Sequence, residues 1–309
     1  MKNIFLLAFA GLMLSCGMEN QEQKSPETTP FRVMSWNIWH GGHSKEYPNK
    51  GCEGTLGILK ESNADVILMI ETYGASANVA DSLGYYHRLL SSNLSIYSRY
   101  PITKTLIFPD TIGTFNFGGA ELDVKGQTVR VFDTWLHYLP DTRKAPTSEG
   151  EAAVLAWDDA GTRDDEMRAI LHCLKPYIAE ADSIPIIIGG DFNSHSHLDW
   201  TEATKDMYNH GGIAVNWTVS SLMQQAGFID SYRQIHPNPV THIGTTWMHP
   251  IENDTQDRID YIYYQGNSLQ LDTAEVYNKN LGEMLDFRGK QFFYASDHGL
   301  VLSTFTLKH

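Results

Sequence analysis

Apolar residues follow two periods along this chain. Residues 66–70 form a continuous apolar run that stops at Glu71, and residues 185–188 form another that stops at Gly189-Gly190-Asp191. Runs this short, bounded by turn residues, read as buried strands. Residues 120–124 and 127–132 flank Lys125-Gly126, the spacing of a hairpin. Further strands are expected at 31–35, 94–97, 259–264 and 299–305. The other period is helical: Met167, Ile170, Leu171, Leu174 and Ile178 share one face. Thr162 and Asp165 sit in front of them as an N-cap and its third-position carboxylate, and Pro176 should kink or shorten the end. Shorter helices are expected at 54–63 and 219–226. Strands arranged both as hairpins and as helix-separated units predict a mixed-sheet α/β sandwich, not an all-parallel sheet. Nothing between Phe31 and His309 reads as a linker, so 31–309 is expected to be one domain.

The first residues follow a different logic. Lys2 supplies a positive charge, residues 4–14 are almost continuously apolar, and Ser15-Cys16-Gly17 follows. That is the layout of an export signal, and the apolar run is short for a membrane span. A Cys directly after a small residue resembles a bacterial lipoprotein signal, with Met13 where Leu is usual. The resemblance implies residues 1–16 as signal peptide, Cys16 as the acylated mature N-terminus and an exported protein anchored to a membrane. Residues 20–30 are polar and Pro-flanked, so 17–30 reads as a flexible tether. Beyond the signal only Cys52 and Cys173 remain, and two cysteines so far apart are more often unpaired than bridged.

Composition narrows the function. With 23 basic against 37 acidic residues the formal net charge is −14. Duplex-nucleic-acid proteins usually carry a basic footprint, so nucleic acid is the weaker expectation for a partner. A bound divalent metal would change the local field and keeps a nuclease open.

Residues able to bind metal or move protons recur where strands should end: Asn37, Glu71, His137, Asp191, Asn193, Asp260, Asp297 and His298. A strand end holds a side chain rigidly while its loop exposes it. Singly each has a plain reading, since an Asp after Gly-Gly is commonly turn chemistry. As a set they supply what phosphoester hydrolysis needs, an aligned water and positive charge at the non-bridging oxygens.

In chain order, Ser35-Trp36-Asn37, Ile70-Glu71, Gly190-Asp191-Phe192-Asn193, Arg258-Ile259-Asp260-Tyr261 and Ser296-Asp297-His298-Gly299 resemble the ordered motifs of the endonuclease/exonuclease/phosphatase superfamily. The resemblance implies a four-layer α/β sandwich with two mixed β-sheets flanked by helices and the site between the sheets. It implies Glu71 as the main carboxylate ligand of Mg²⁺, with Mn²⁺ or Ca²⁺ as alternatives, and Asn37 and Asp297 at the metal edge. Asp191 and Asn193 would hold the attacking water and the scissile phosphate, and Asp260 would orient His298. His137 matches a phosphate-contacting His in the deoxyribonuclease-like members. Whether His298 or Asp191 is the general base stays open.

One departure is Trp39, where some nucleases of the family carry an acid. His40 and His43 follow it, and His195, His197, His242 and His249 flank other motifs. Any single one reads as a loop residue, and His40 alone stands out as a substrate contact. The motifs imply metal-dependent hydrolysis of a small-molecule or lipid-headgroup phosphate ester by a monomer, with a secreted nuclease as the alternative. A non-catalytic binding protein fits the complete acid–His set poorly. The acid-rich segment 141–166 would repel a polyanion if it bordered the cleft.

Overall fold

The apolar run Val66–Ile70 is buried at every position, as the middle of a sheet covered on both faces must be. It is β2 in a computed structural model that describes residues 28–43, 48–248 and 256–309. The expected signal, Cys16 and His249 lie outside those residues, as does the tether up to residue 27. The strands in chain order are β1 Thr28–Asn37, β2 Val66–Ile70, β3 Tyr86–Leu89, β4 Ser95–Ser98, β5 Ile102–Leu106, β6 Phe117–Val124, β7 Gln127–Trp135 and β8 Ile186–Asp191. They continue with β9 Ile229–Asp230, β10 Trp247–Met248, β11 Gln256–Asp257, β12 Asp260–Gln265, β13 Leu269–Tyr277, β14 Met284–Phe287, β15 Lys290–Phe293 and β16 Leu300–Lys308.

Two six-stranded mixed sheets result, ordered β13-β16-β1-β2-β4-β3 and β5-β6-β7-β8-β12-β9. The parallel pairs are β1 with β2 and β7 with β8. Period-two alternation sorts their side chains into layers. Phe31, Val33 and Leu68 of the first sheet meet Leu122, Val131 and Ile187 of the second in the core between the sheets. Met34, Trp36 and Met69 face outward under the helices Pro48–Ser62 and Ser76–Leu83. Phe132, Ile186 and Ile188 lie under the helices Arg163–Ile178 and Thr218–Gln225. These four layers match the expected fold. Each fully buried large apolar side chain contributes roughly 1.5–3 kcal/mol, so the sheets hold their ends rigidly.

Several boundaries moved. Thr28 to Pro30, assigned to the tether, belong to β1 and pair with Lys308, Leu307 and Thr306. Thr162 is the N-cap residue, but its hydroxyl bonds the Glu166 carboxylate at 3.0 Å instead of capping the backbone. Pro176 falls in the last helical turn, and the helix ends two residues later at Ile178. The helix expected at 54–63 begins at Pro48, earlier than its apolar spacing suggested. Cys52 and Cys173 are free thiols on helices of opposite outer layers. No helix of the described residues is long and apolar enough to cross a membrane.

Candidate active site

The two sheets bring five strand ends together. Asn37 ends β1, Glu71 follows β2, Asp191 ends β8, Asp260 opens β12, and Asp297-His298 precede β16. The Gly189-Gly190 pair belongs to β8 and is no turn. A Cβ on Gly190 would stand 2.1 Å from the Thr134 carbonyl oxygen, and one on Gly189 would stand 2.7 Å from Leu68. Glycine lets β8 approach both its neighbour strand and the facing sheet where Asp191 emerges.

His298 Nδ1 lies 2.9 Å from Asp260 Oδ2, which fixes the imidazole so that Nε2 faces Asp191 Oδ2 at 3.8 Å and Asp297 Oδ1 at 4.0 Å. Its backbone is equally constrained. The Tyr294 hydroxyl and Trp36 Nε1 both donate to the His298 carbonyl, at 2.6 and 3.2 Å. The Ser296 hydroxyl accepts from His298 N at 2.9 Å and donates to the Asn37 carbonyl at 2.6 Å. The Asn37 amide in turn donates to Asp191 Oδ2 at 3.1 Å and Glu71 Oε1 at 3.3 Å. One chain of hydrogen bonds therefore runs from Asp260 through His298 and Ser296 to Asn37, and on to Asp191 and Glu71.

Burial dominates the electrostatics. It drives the Asp191 carboxyl well above the usual carboxylate range, with the His298 charge pulling the other way. Asp260 is raised for the same reason. For His298, burial works against the charged form, but Asp260, Asp191 and Asp297 outweigh it and hold the imidazole protonated beyond its ordinary range. Perturbed groups facing one another on rigid strand ends are a setting that proton-transfer chemistry uses.

At the site Glu71 adopts left-handed backbone at φ 58°, as does Asn193 at φ 48°. The conformation is costly for Glu, and such strain collects at working sites. Asn93, which is buried, holds Glu71 by accepting from its backbone N–H at 3.0 Å, and donates onward to the Phe115 carbonyl at 2.9 Å. Asn193 N–H donates to Asp191 Oδ1 at 3.0 Å, and its side-chain amide to the Leu136 carbonyl at 2.8 Å. The guanidinium of buried Arg163, paired with Asp158 at 2.7 Å, grips the carbonyls of Asn193 and Pro140.

A divalent cation fits one side of this cluster. The tightest grouping of potential ligands among the described residues is Asp191, Asp260 and His298, within 4.8 Å of one another. Two of its atoms already satisfy each other, however, and a hard cation prefers oxygen. The oxygen-rich edge at Glu71 and Asn37 suits it better, with Asp297 beside His298. Asp297 Oδ1 is buried without a hydrogen-bond partner among the described residues, a cost that a cation would relieve.

The remaining histidines divide. His40 is exposed, with its backbone N–H donating to Glu71 Oε2 at 3.2 Å and its ring against Tyr73. His137 sits two residues beyond Trp135, the register partner of Asp191. Its backbone donates to Glu166 and its Nδ1 accepts from Leu139 N–H, with no contact to the Asp191–His298 pair among the described residues. His197 bonds Ser220 and Gln224, and His242 stacks on His236, so both keep structural roles. His195 lies in an aromatic box with Trp200 and Trp217. His210 stacks on Trp200 there, 3% exposed, and burial pushes its pKa down to about 4. A value below the unfolded one means stability is present above about pH 6.5 and is lost as pH falls toward 4. We expect up to about 3 kcal/mol from this group. Urea midpoints of wild type and His210→Phe between pH 8 and 4 should show a shallower fall in the variant, and identical slopes would contradict the assignment.

Comparison with known proteins identifies the family. The family described as Endonuclease/Exonuclease/phosphatase family matches residues 34–298. An uncharacterized protein of Caenorhabditis elegans is 27% identical over 313 residues, covering 96% of both chains. A DNA-(apurinic or apyrimidinic site) endonuclease of Dictyostelium discoideum is 23% identical over 72% of this chain and 59% of its own. Among solved structures, D. rerio TDP2 complexed with a single-strand DNA product superposes with TM-score 0.59 at 17% identity, covering 90% of this chain and 99% of that one. At that identity the likeness shows the fold.

Proposed function

Because the chain belongs to the endonuclease/exonuclease/phosphatase family, whose members are hydrolases acting on phosphate esters, we propose that it hydrolyses compact phosphodiesters at the Asp191–His298–Asp260 cluster. The observation that carries this is the continuous hydrogen-bond chain from Asp260 to Glu71, which sets a protonated imidazole beside a buried carboxyl and an oxygen-rich edge. Asp260 holds the Nδ1–H of His298, leaving Nε2–H to donate to a phosphate oxygen. Asp191, raised by burial, accepts the proton of the attacking water. Asn193, pinned through its amide to Leu136, positions the phosphate. Glu71, with Asn37 and Asp297 beside it, would hold a divalent cation such as Mg²⁺, which supplies charge to the non-bridging and leaving oxygens. His40, whose backbone N–H donates to Glu71, and His137 would serve as further substrate contacts.

Charge supports a compact substrate. The net charge is −14, and affinity for duplex DNA comes mostly from neutralising phosphates. The expected repulsion by segment 141–166 loses force, because its acids are largely engaged within the fold. Asp158 pairs with Arg163, Asp159 and Asp165 with Arg168, and Asp141 with Arg143. Matched assays in Mg²⁺ and moderate salt should show faster turnover of bis(4-nitrophenyl) phosphate than nicking of supercoiled plasmid. Efficient nicking with no turnover of the small diester would favour the nuclease alternative.

Export and lipid anchoring at Cys16 belong to the same proposal, and rest on the pattern of residues 2–17. Cys16→Ala should move the protein from the membrane fraction to the soluble one. Retention on membranes after a salt wash would contradict the anchor.

A further inference from the structure

Beside Asn193 the loop that follows β7 and the residue that opens β10 enclose a cleft of about 300 Å³, lined by Tyr138, Arg143, Lys144, Asn193, Trp247 and Ile259 among others. Asn193 and Ile259 line it, so the cleft adjoins the reaction centre, Ile259 preceding Asp260 in the chain. Trp247 is tied to that centre by a backbone bridge to His298, with its ring 6.4 Å from the imidazole. The Arg143 guanidinium stands 4.7 Å from the Trp247 ring centroid. Asp141 fixes the plane of that guanidinium through two bonds of 2.9 and 2.7 Å. At the mouth Tyr138 is 53% exposed, a large aromatic surface left in water. Arg163 grips both Pro140 and Asn193, so the loop and the phosphate-positioning residue are held as one unit.

Flat groups held in fixed planes around a narrow slot favour a flat ligand. The volume lies at the lower end for small-molecule pockets and suits one ring system, not a base pair. Asp141 and Arg143 neutralise each other, and exposed Lys144 adds a positive charge at the rim. We propose that this cleft is the specificity subsite of the enzyme, and that it takes a single nucleoside-like ring esterified to the scissile phosphate, stacked among Trp247, Arg143 and Tyr138. The inference rests on the phosphodiesterase reading for its substrate, but binding can be measured without turnover.

Calorimetric titrations in EDTA compare thymidine 5′-monophosphate with ribose 5-phosphate, which keeps the sugar phosphate and lacks the ring. The wild type should bind the nucleotide about tenfold more tightly, the scale of one base–aromatic stack. Trp247→Ala should abolish that ratio and Trp247→Phe should retain most of it. Tyr138→Ala, at an exposed site, should reduce it. Equal wild-type binding of the two phosphates, or a ratio untouched by all three changes, overturns the subsite. A short single-stranded oligothymidylate separates the sources. If it binds more tightly than the free nucleotide with the same Trp247 dependence, the ring belongs to a strand end. If it binds more weakly, the ring belongs to a small ester. Intact ring selectivity in a protein that hydrolyses no phosphodiester would sink the catalytic reading and leave the subsite standing.

Discussion

His298→Ala should lower turnover of a compact phosphodiester by about 10²- to 10⁴-fold, the range of a general acid–base group, while the protein stays folded. The imidazole directs Nε2 toward Asp191 at 3.8 Å while its Nδ1 anchors Asp260 at 2.9 Å. Without it, two buried carboxyls that it pulls toward ionisation lose that charge and stay protonated over a wider pH range. The proton donor and the ionised base are then lost together. The fold should survive, because the His298 carbonyl and N–H, which bind Tyr294, Trp36 and Ser296, belong to the backbone. Initial rates with bis(4-nitrophenyl) phosphate, alongside circular dichroism, check this. A folded variant with wild-type turnover would remove His298 from the chemistry.

Much of this architecture was legible in the sequence for physical reasons. The apolar run 66–70 has no polar face, so it had to be an interior strand, and its bounds came out as read. Lys125-Gly126 needs left-handed backbone, which it adopts at φ 55° and 92°, and so marked the hairpin. The strand-end acids and His298 stood out only as a set, in the order of the family's motifs, since each alone has a plain structural reading. What escaped depended on distant partners. Thr28 to Pro30 look like a linker until β16, some 280 residues away, offers them a register. Asn93, Thr246 and Tyr294 carry no local signal, yet they brace Glu71, the amide of Asp260 and the carbonyl of His298. Arg163 read as the first residue of a helix, and its burial beneath Asn193 emerges only when the segment folds back. The histidine pairs kept their plain reading: His195 packs against Trp200 and Trp217 and His197 bonds Ser220, so proximity to a motif in sequence did not make them site residues.

Glu71→Gln tests the metal edge. The change keeps the shape and removes the charge, so a hard cation held there would lose a carboxylate oxygen while Asn93 still holds the backbone at φ 58°. The cation concentration for half activity should rise at least about tenfold, as when groups around a metal site are removed. The measurement that bears most directly on a metal-assisted phosphodiesterase is therefore a Mg²⁺ titration of diester hydrolysis, from fully chelated protein upward, for wild type and Glu71→Gln together. The expected result is no turnover in EDTA, full recovery of the wild type on adding Mg²⁺, and a midpoint displaced to higher concentration in the variant. Turnover that persists in EDTA, or two superimposable titrations, would contradict it.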